Sequence, residues 1–320
     1  MEALAPIGVS TYGRVNHLRQ VIEALKRNVL AKDSELYIFS DAPKPGDEEK
    51  VSAVRQYAHA IDGFKRVHVL ERTINNRVAN NRGGIESLLD QYGKVIFLEE
   101  DVVVAPGFLR FMNDALAYYE DDPRIGSIAA YCPPMAIPGS YDKDVFALTR
   151  FNPWGIGLWR RYYKMNTPIS ADCYAEVFGS RKRLRALTRS VGQEAVEVMK
   201  MDFERKLDAG DMKSIFWQFY DGKLTIYPRK SLSRSIGQDG SGFHMGITDK
   251  WDVSEMWDKE NGFAFFRGIE VDEGIRKSHY DFYRVSIYKL RIVGFLRRIG
   301  VYEAIRPAIK KVQRWIGANG

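Results

Sequence analysis

Cysteine is nearly absent from this chain. Of 320 residues only Cys132 and Cys173 carry a thiol, too few for a disulfide framework or a cysteine-rich zinc site, so a reducing cytoplasm is the expected compartment. Long apolar runs are missing too: nothing approaches the roughly 18 residues that a membrane-spanning helix needs. Residues 1–6 are too short and too polar for a signal peptide. No Gly-x-Gly-x-x-Gly follows the first predicted strand and no Gly-x-x-x-x-Gly-Lys-Ser/Thr occurs, which disfavours the usual dinucleotide and P-loop phosphate sites. There is no internal repeat and no low-complexity tract.

Basic excess is lacking over most of the chain. The formal charge is +7, but residues 284–320 hold nine basic side chains against one acid, Glu303, a net +8, so the rest is close to neutral. A near-neutral body with no recognition motif argues against nucleic acid as a partner. Within the basic tail, Ile292, Phe295, Ile299, Tyr302, Ile305, Ile309, Val312 and Trp315 recur at helical spacing. A cationic amphipathic segment of this kind fits an anionic membrane surface, placing the protein peripherally at the inner face of the cell membrane. The alternative is a terminal helix packing its apolar stripe on the body.

What is present centres on Lys94-Val-Ile-Phe-Leu-Glu-Glu-Asp-Val-Val-Val-Ala-Pro-Gly-Phe-Leu109. Residues 94–98 read as a buried strand running straight into Glu99, Glu100 and Asp101. A buried strand cannot absorb three carboxylates, so the acids belong where the strand leaves the core. In an open α/β sheet that is the carboxyl-end crevice. Three adjacent carboxylates repel one another unless a cation neutralises them, and a divalent metal bridging to a diphosphate is the usual occupant. The alternative is a solvated acidic turn.

The N-terminal half alternates predicted strands (residues 6–12, 35–39, 66–70, 94–98) with helices (about 16–30, 48–60 and from 82 to 92), the pattern of a parallel sheet with crossover helices. The predicted strand ends carry Thr11, Tyr12 and Arg14, then Asp41, then Asn80, Asn81 and Arg82, a set able to contact a base, a ribose and a diphosphate. Pro106 is placed to open a helix near Gly107 and Phe108. Further on, residues 124–131 read as a strand, 192–207 as a helix and 224–227 as a strand. Trp154, Gly155, Gly157 and Trp159 combine small residues with aromatic planes, either a surface for the apolar face of a sugar or core packing. Gly237, Gly240 and Gly242 form a hydroxyl-lined loop able to fold over a diphosphate with backbone N–H groups and Ser241. Residues 180–189 are strongly basic, and 250–274 alternate aromatics with charges without a recognisable motif.

The segments Ser10-Thr-Tyr-Gly-Arg14, Phe39-Ser-Asp41, Phe97-Leu-Glu-Glu-Asp-Val-Val-Val-Ala-Pro-Gly-Phe108 and Pro153-Trp-Gly-Ile-Gly-Leu-Trp159 resemble the inverting GT-A glycosyltransferases, in particular bacterial sugar transferases related to N-acetylglucosaminyltransferase I. The resemblance covers residues 6–244. It implies that Asp101 holds a Mn²⁺ or Mg²⁺ ion, that Glu99 and Glu100 sit against the donor's ribose and sugar, that Arg14 faces the nucleotide, and that Asp41 reads a uracil edge. Asn81 stands where the related eukaryotic enzyme has a histidine, and Glu100 where the family usually has Asp. His244, in an Ile-Gly-x-Asp-Gly-Ser-Gly-x-His segment, is implied as a diphosphate contact or metal ligand. The catalytic base is implied shortly before a strand ending in Pro228, which suits Asp211, with Asp208 and Asp202 as competitors.

The resulting expectation is an α/β GT-A domain over residues 1–245, an aromatic connector or acceptor-side lid over 246–283 and a basic amphipathic tail over 284–320. Its activity would be metal-dependent, inverting transfer from a UDP-sugar to a glycan or lipid-linked acceptor in bacterial surface polysaccharide synthesis. The rivals are a sugar-1-phosphate nucleotidyltransferase, which should carry a basic Gly-rich loop after the first strand, and a membrane-associated binding scaffold without catalysis.

Overall fold

The computed structural model describes residues 3–238, 250–284 and 301. Ser241 and His244, the glycines at 240 and 242, and all of the tail from 285 except Val301 lie outside the described residues. In chain order the elements are β1 (Ile7–Thr11), α1 (Val15–Lys26), β2 (Glu35–Ser40), α2 (Glu48–His59), β3 (Arg66–Glu71), α3 (Arg77–Tyr92), β4 (Lys94–Glu99), β5 (Val102–Val104), α4 (Phe108–Tyr118), β6 (Ile125–Ala129), β7 (Val145–Leu148) and β8 (Ile156–Trp159). They continue with α5 (Ala171–Phe178), α6 (Arg181–Val191), α7 (Gln193–Phe203), α8 (Gly210–Tyr220), β9 (Leu224–Pro228), β10 (Ser233–Ser235) and α9 (Glu273–Phe282).

Eight strands form one sheet in the order β3-β2-β1-β4-β8-β6-β9-β7. The first four are parallel, as the alternation predicts, and β6 pairs parallel with β9. β8 enters antiparallel between β4 and β6, and β7 lies antiparallel on β9. The result is a mostly parallel sheet with helices on both faces. Alternation along each strand sorts the core. Ile96 and Leu98 of β4 and Ile38 of β2 join α1, α2 and α4, whereas Val95 and Phe97 of β4 and Tyr37 and Phe39 of β2 join α3, α6, α7 and α8.

Local chemistry sets the helix ends that matter. α3 begins earlier than its polar sequence predicts, because the Asn76 side chain accepts from the Ala79 backbone N–H and caps it. Asn80, Asn81 and Arg82 therefore stand on the first turns of a helix and not in a strand-end loop. Gly93, at φ 75°, ends the helix in the left-handed conformation that glycine tolerates best. The expected helix over 192–207 is α7, ending at Phe203, and the basic stretch before it is a separate helix, α6.

The segment 250–272 is an irregular strap seated on α4. Phe263 and Phe265 pack on Phe111, Tyr119 donates its hydroxyl to the Phe266 carbonyl, and Lys259 pairs with Asp144 at 2.6 Å. Its alternation of aromatics and charges is thus the pattern of a segment with one face on the core. Residues up to Phe282 form one compact unit. Among the described residues no helix is long and apolar enough to cross a membrane.

Candidate active site

The parallel register brings the carboxyl ends of three strands to one edge: Ser10 of β1 pairs with Glu99 of β4, and Thr11 pairs with Ser40 of β2. Glu99 closes β4 and Glu100 and Asp101 follow it directly, as their sequence demands. Their environments differ sharply.

Glu100 is 6% exposed at its side chain and is consumed by the protein itself. Its Oε2 accepts from Thr11 Oγ1 at 2.5 Å and from the Tyr12 backbone N–H at 2.7 Å, and its Oε1 accepts from Arg14 Nε at 2.6 Å. It is therefore the brace that shapes the turn after β1. The Tyr12 phenol is fixed in turn, donating to Asp47 Oδ2 and accepting from the Lys44 N–H, both at 2.9 Å.

Asp101 is buried and only half satisfied. Its Oδ2 accepts from Arg14 Nη2 at 2.9 Å, while its Oδ1 and the Arg14 Nη1 are buried without a hydrogen-bond partner among the described residues. Burial works to lower the Arg14 pKa, but the charges of Asp101 and Glu100 outweigh it and hold the guanidinium above its ordinary value. β10 pairs with β5 and continues so that the Ile236 N–H donates to the Asp101 carbonyl. A Cβ at Gly237 would overlap Asp101 Oδ2 and lie 3.1 Å from Arg14 Nη1, so only glycine lets this backbone lie against the acid.

Glu99 is half-buried and accepts from Asn81 Nδ2 at 3.0 Å. Burial first, then the charge of Asp101, pushes its carboxyl up to about 7, with Asp211 adding to the push and Arg77 and Arg14 opposing it. Asp211, in the first turn of α8, is thereby placed on the same acidic edge. The other two candidate bases are held elsewhere. Asp208 pairs with Arg82 at 2.7 Å and Lys213 at 2.6 Å, and these cations, against the effect of burial, keep it below the usual carboxylate range. Asp202 accepts from the Ala209 N–H at 2.7 Å and faces Lys213 at 3.4 Å.

Asp41 is 3% exposed, and its oxygens accept from the backbone N–H groups of Ala42 and Asn76 and from Asn75 Nδ2. It fixes the entry to α3, and so the placement of Asn81. Trp154 precedes β8 and, counting back from the Ile156–Phe97 pair, falls level with Glu99. Its ring meets Tyr131 and Trp251 edge to face at 4.6 and 6.1 Å. Trp159 does not belong to this edge, contrary to expectation. It pairs with Lys94 at the opposite end of β4 and is 2% exposed, because β8 runs antiparallel and carries its two ends to opposite sides of the sheet. Sequence reasoning missed Asn75, Asn76, Arg77, Tyr131 and Trp251. Only the Asn pair ahead of a helix was a readable signal, as a cap.

Among the described residues no three acid, histidine or cysteine side chains converge as a metal cage. The residues nonetheless fit a hard divalent cation of the kind held by one carboxylate plus substrate phosphates and water, because Asp101 Oδ1 is a buried acceptor that receives no hydrogen bond from the described residues.

The site and the fold define a class: an α/β protein with an acid-ended central strand at the crevice where such sheets bind ligands. No protein-family model matches the chain, and no curated protein matches it. Among solved structures it is similar to S. aureus TarS, at 13% identity over 72% of this chain and 36% of that one, with a TM-score of 0.40. Residues 1–349 of TarS match at 13% identity, 72% and 60% coverage and a TM-score of 0.41. The mannosyltransferase PcManGT from Pyrobaculum calidifontis, in complex with GDP-Man and Mn²⁺, matches at 14% identity, 67% and 68% coverage and 0.38. The chain thus spans about a third of the full TarS structure. Likenesses this distant leave the assignment to the site itself.

Proposed function

We propose that the chain is a metal-dependent, inverting glycosyltransferase of the GT-A type that uses a UDP-sugar, N-acetylglucosamine being the first candidate sugar, and a glycan or lipid-linked acceptor. The observation that carries this reading is that Asp101 Oδ1 and Arg14 Nη1, at the carboxyl end of β4, have no hydrogen-bond partner among the described residues, an acceptor for a cation and a donor for a phosphate on one ion pair. Asp101 would hold the Mn²⁺ or Mg²⁺ ion, which when bound supplies Lewis-acid stabilisation of the departing diphosphate.

The chain's own groups carry the remaining roles. Arg14, fixed by Glu100, directs Nη1 at the diphosphate and adds positive charge where negative charge develops. Glu99, oriented by Asn81, lies against the donor's ribose and sugar, and Trp154, backed by buried Tyr131 and by Trp251, supplies an aromatic wall beside it. Asp211 accepts the acceptor hydroxyl's proton as that oxygen bonds to the anomeric carbon. The bond from that carbon to the diphosphate breaks, and UDP leaves with the electron pair. Asp211 is preferred over Asp208 and Asp202 because it stands in the first turn of α8, close enough to Glu99 for its charge to act there. The basic tail is read as an anchor to an anionic membrane at its cytoplasmic face, which would bring the site to a lipid-linked acceptor in surface polysaccharide synthesis.

The test is UDP release from UDP-sugars with Mn²⁺ or EDTA. Asp211→Asn is expected to lower turnover by roughly 10² to 10⁴, with Asp208→Asn far milder. Equal effects of the two variants would remove Asp211 from the role.

A further inference from the structure

Helix α6 carries five basic residues and no acid. At roughly 100° per residue, Arg181, Arg185, Arg189 and Lys182 fall within an arc of about 100° and span about 12 Å along the axis. Leu187 and Val191, which are buried, lie on the opposite side of the helix. The four cations are exposed, and none makes an ion pair among the described residues. Arg183, outside the arc, is the one that pairs, with Glu176. A cleft of about 590 Å³ lies between Arg189 on α6 and Arg276, Lys277 and Tyr280 on α9. Of its cations, Arg276 pairs with Glu273 and Lys277 with Asp281, while Arg189 has no ion-pair partner among the described residues; the Glu273 pKa is lowered first by Arg276 and also by Arg189. In sequence, α9 ends two residues before the basic stretch that begins at Arg284.

Four like charges set side by side repel one another and lower the stability of the helix unless something anionic meets them. The fold could have dispersed or paired them, as it does with Arg183. The arc carries no aromatic side chain on which a base could stack, which disfavours single-stranded nucleic acid. Its exposed cations on a convex helix suit a broad anionic plane, and the cleft at its end, of about 590 Å³, has room for a phosphate-bearing headgroup.

We propose that the α6 face, with Arg181, Lys182, Arg185 and Arg189 and the cleft against α9, is a docking surface for an anionic lipid membrane, separate from the basic tail. This rests on the membrane-contact part of the proposed function but not on its chemistry. The face would hold the body against the bilayer as well as tethering it by its C-terminal end.

The experiment is co-sedimentation of the full chain with phosphatidylcholine vesicles, with and without phosphatidylglycerol. It compares wild type with Arg181→Gln/Arg185→Gln/Arg189→Gln, with the matching triple Arg→Lys variant, and with a tail variant in which Arg297, Arg298, Lys310 and Lys311 become Gln. Circular dichroism verifies that each is folded. The expected result is binding only to anionic vesicles, weakened on the order of a hundredfold by the triple Gln change and preserved by Lys, since each basic residue near such a surface contributes about fivefold. Undiminished binding of the Gln variant, with loss confined to the tail variant, would overturn the α6 surface while leaving tail anchoring intact. Equal binding to neutral vesicles would overturn it too, as would failure of wild type to bind vesicles while binding soluble polyphosphate.

Discussion

Glu100→Gln tests how the site is held together. Three donors converge on the carboxylate: Thr11 Oγ1 and the Tyr12 N–H on one oxygen, Arg14 Nε on the other. An amide has a single acceptor oxygen, and its NH₂ must face either Arg14 Nε or the Tyr12 N–H, donor against donor. The substitution also removes the charge facing a guanidinium whose side chain is only 24% exposed. Losing one partner of a fully buried pair costs about 3–5 kcal/mol. Arg14 retains Asp101 and some solvent, which brings the expected loss down to roughly 2–3 kcal/mol. For a chain of this size that is a fall in Tm of about 3–5 °C, read by calorimetry or urea titration. The same variant should bind UDP more weakly, because Tyr12 and Arg14 lose their common anchor. Glu100→Asp keeps the charge but falls one methylene short and should lie between. A Glu100→Gln protein with unchanged Tm and unchanged UDP affinity would refute the claim that Glu100 is a brace.

Three further outcomes follow from neighbouring residues. Glu99, raised from 4.5 to about 7, binds more protons folded than unfolded over that interval, so its contribution is greatest below pH 4.5 and is lost as pH rises to 7. In EDTA, Glu99→Gln should flatten the stability profile over that window and gain up to about 3 kcal/mol above it, measured by urea titration at several pH values; an unchanged profile would contradict the assignment. Gly237→Ala should fold but displace Asp101 or the backbone over it, lowering turnover by about a hundredfold in the UDP-release assay. Gly8→Ala would set a Cβ 2.7 Å from the Phe97 ring between β1 and β4 and should cost about 1–3 kcal/mol without altering UDP affinity once folded.

Much of this architecture could be read in the sequence because burial and charge leave few options. An apolar strand ending in Glu-Glu-Asp can lie only with its acids outside the core, and the regular alternation before it gives the four parallel strands. The antiparallel entry of β8 was not readable, since no tight turn marks it; that insertion sends Trp154 and Trp159 to opposite edges of the sheet. Composition also misled at Asn80–Arg82, whose polarity suggests a loop when Asn76 in fact starts a helix. Which acid holds the turn and which is left half satisfied depends on donors from the end of β1, the turn after it and helix α3, and no local pattern encodes that. The contact of Gly237 with Asp101 spans more than a hundred residues, and only packing reveals it.

The most direct measurement is calorimetric titration of the purified chain with UDP, with and without Mn²⁺, in wild type and Asp101→Ala. The account predicts UDP binding that Mn²⁺ strengthens and that the variant loses while its fold, followed by circular dichroism, is retained. No binding of any uridine nucleotide by folded wild-type protein, or metal-dependent binding that survives Asp101→Ala, would contradict it.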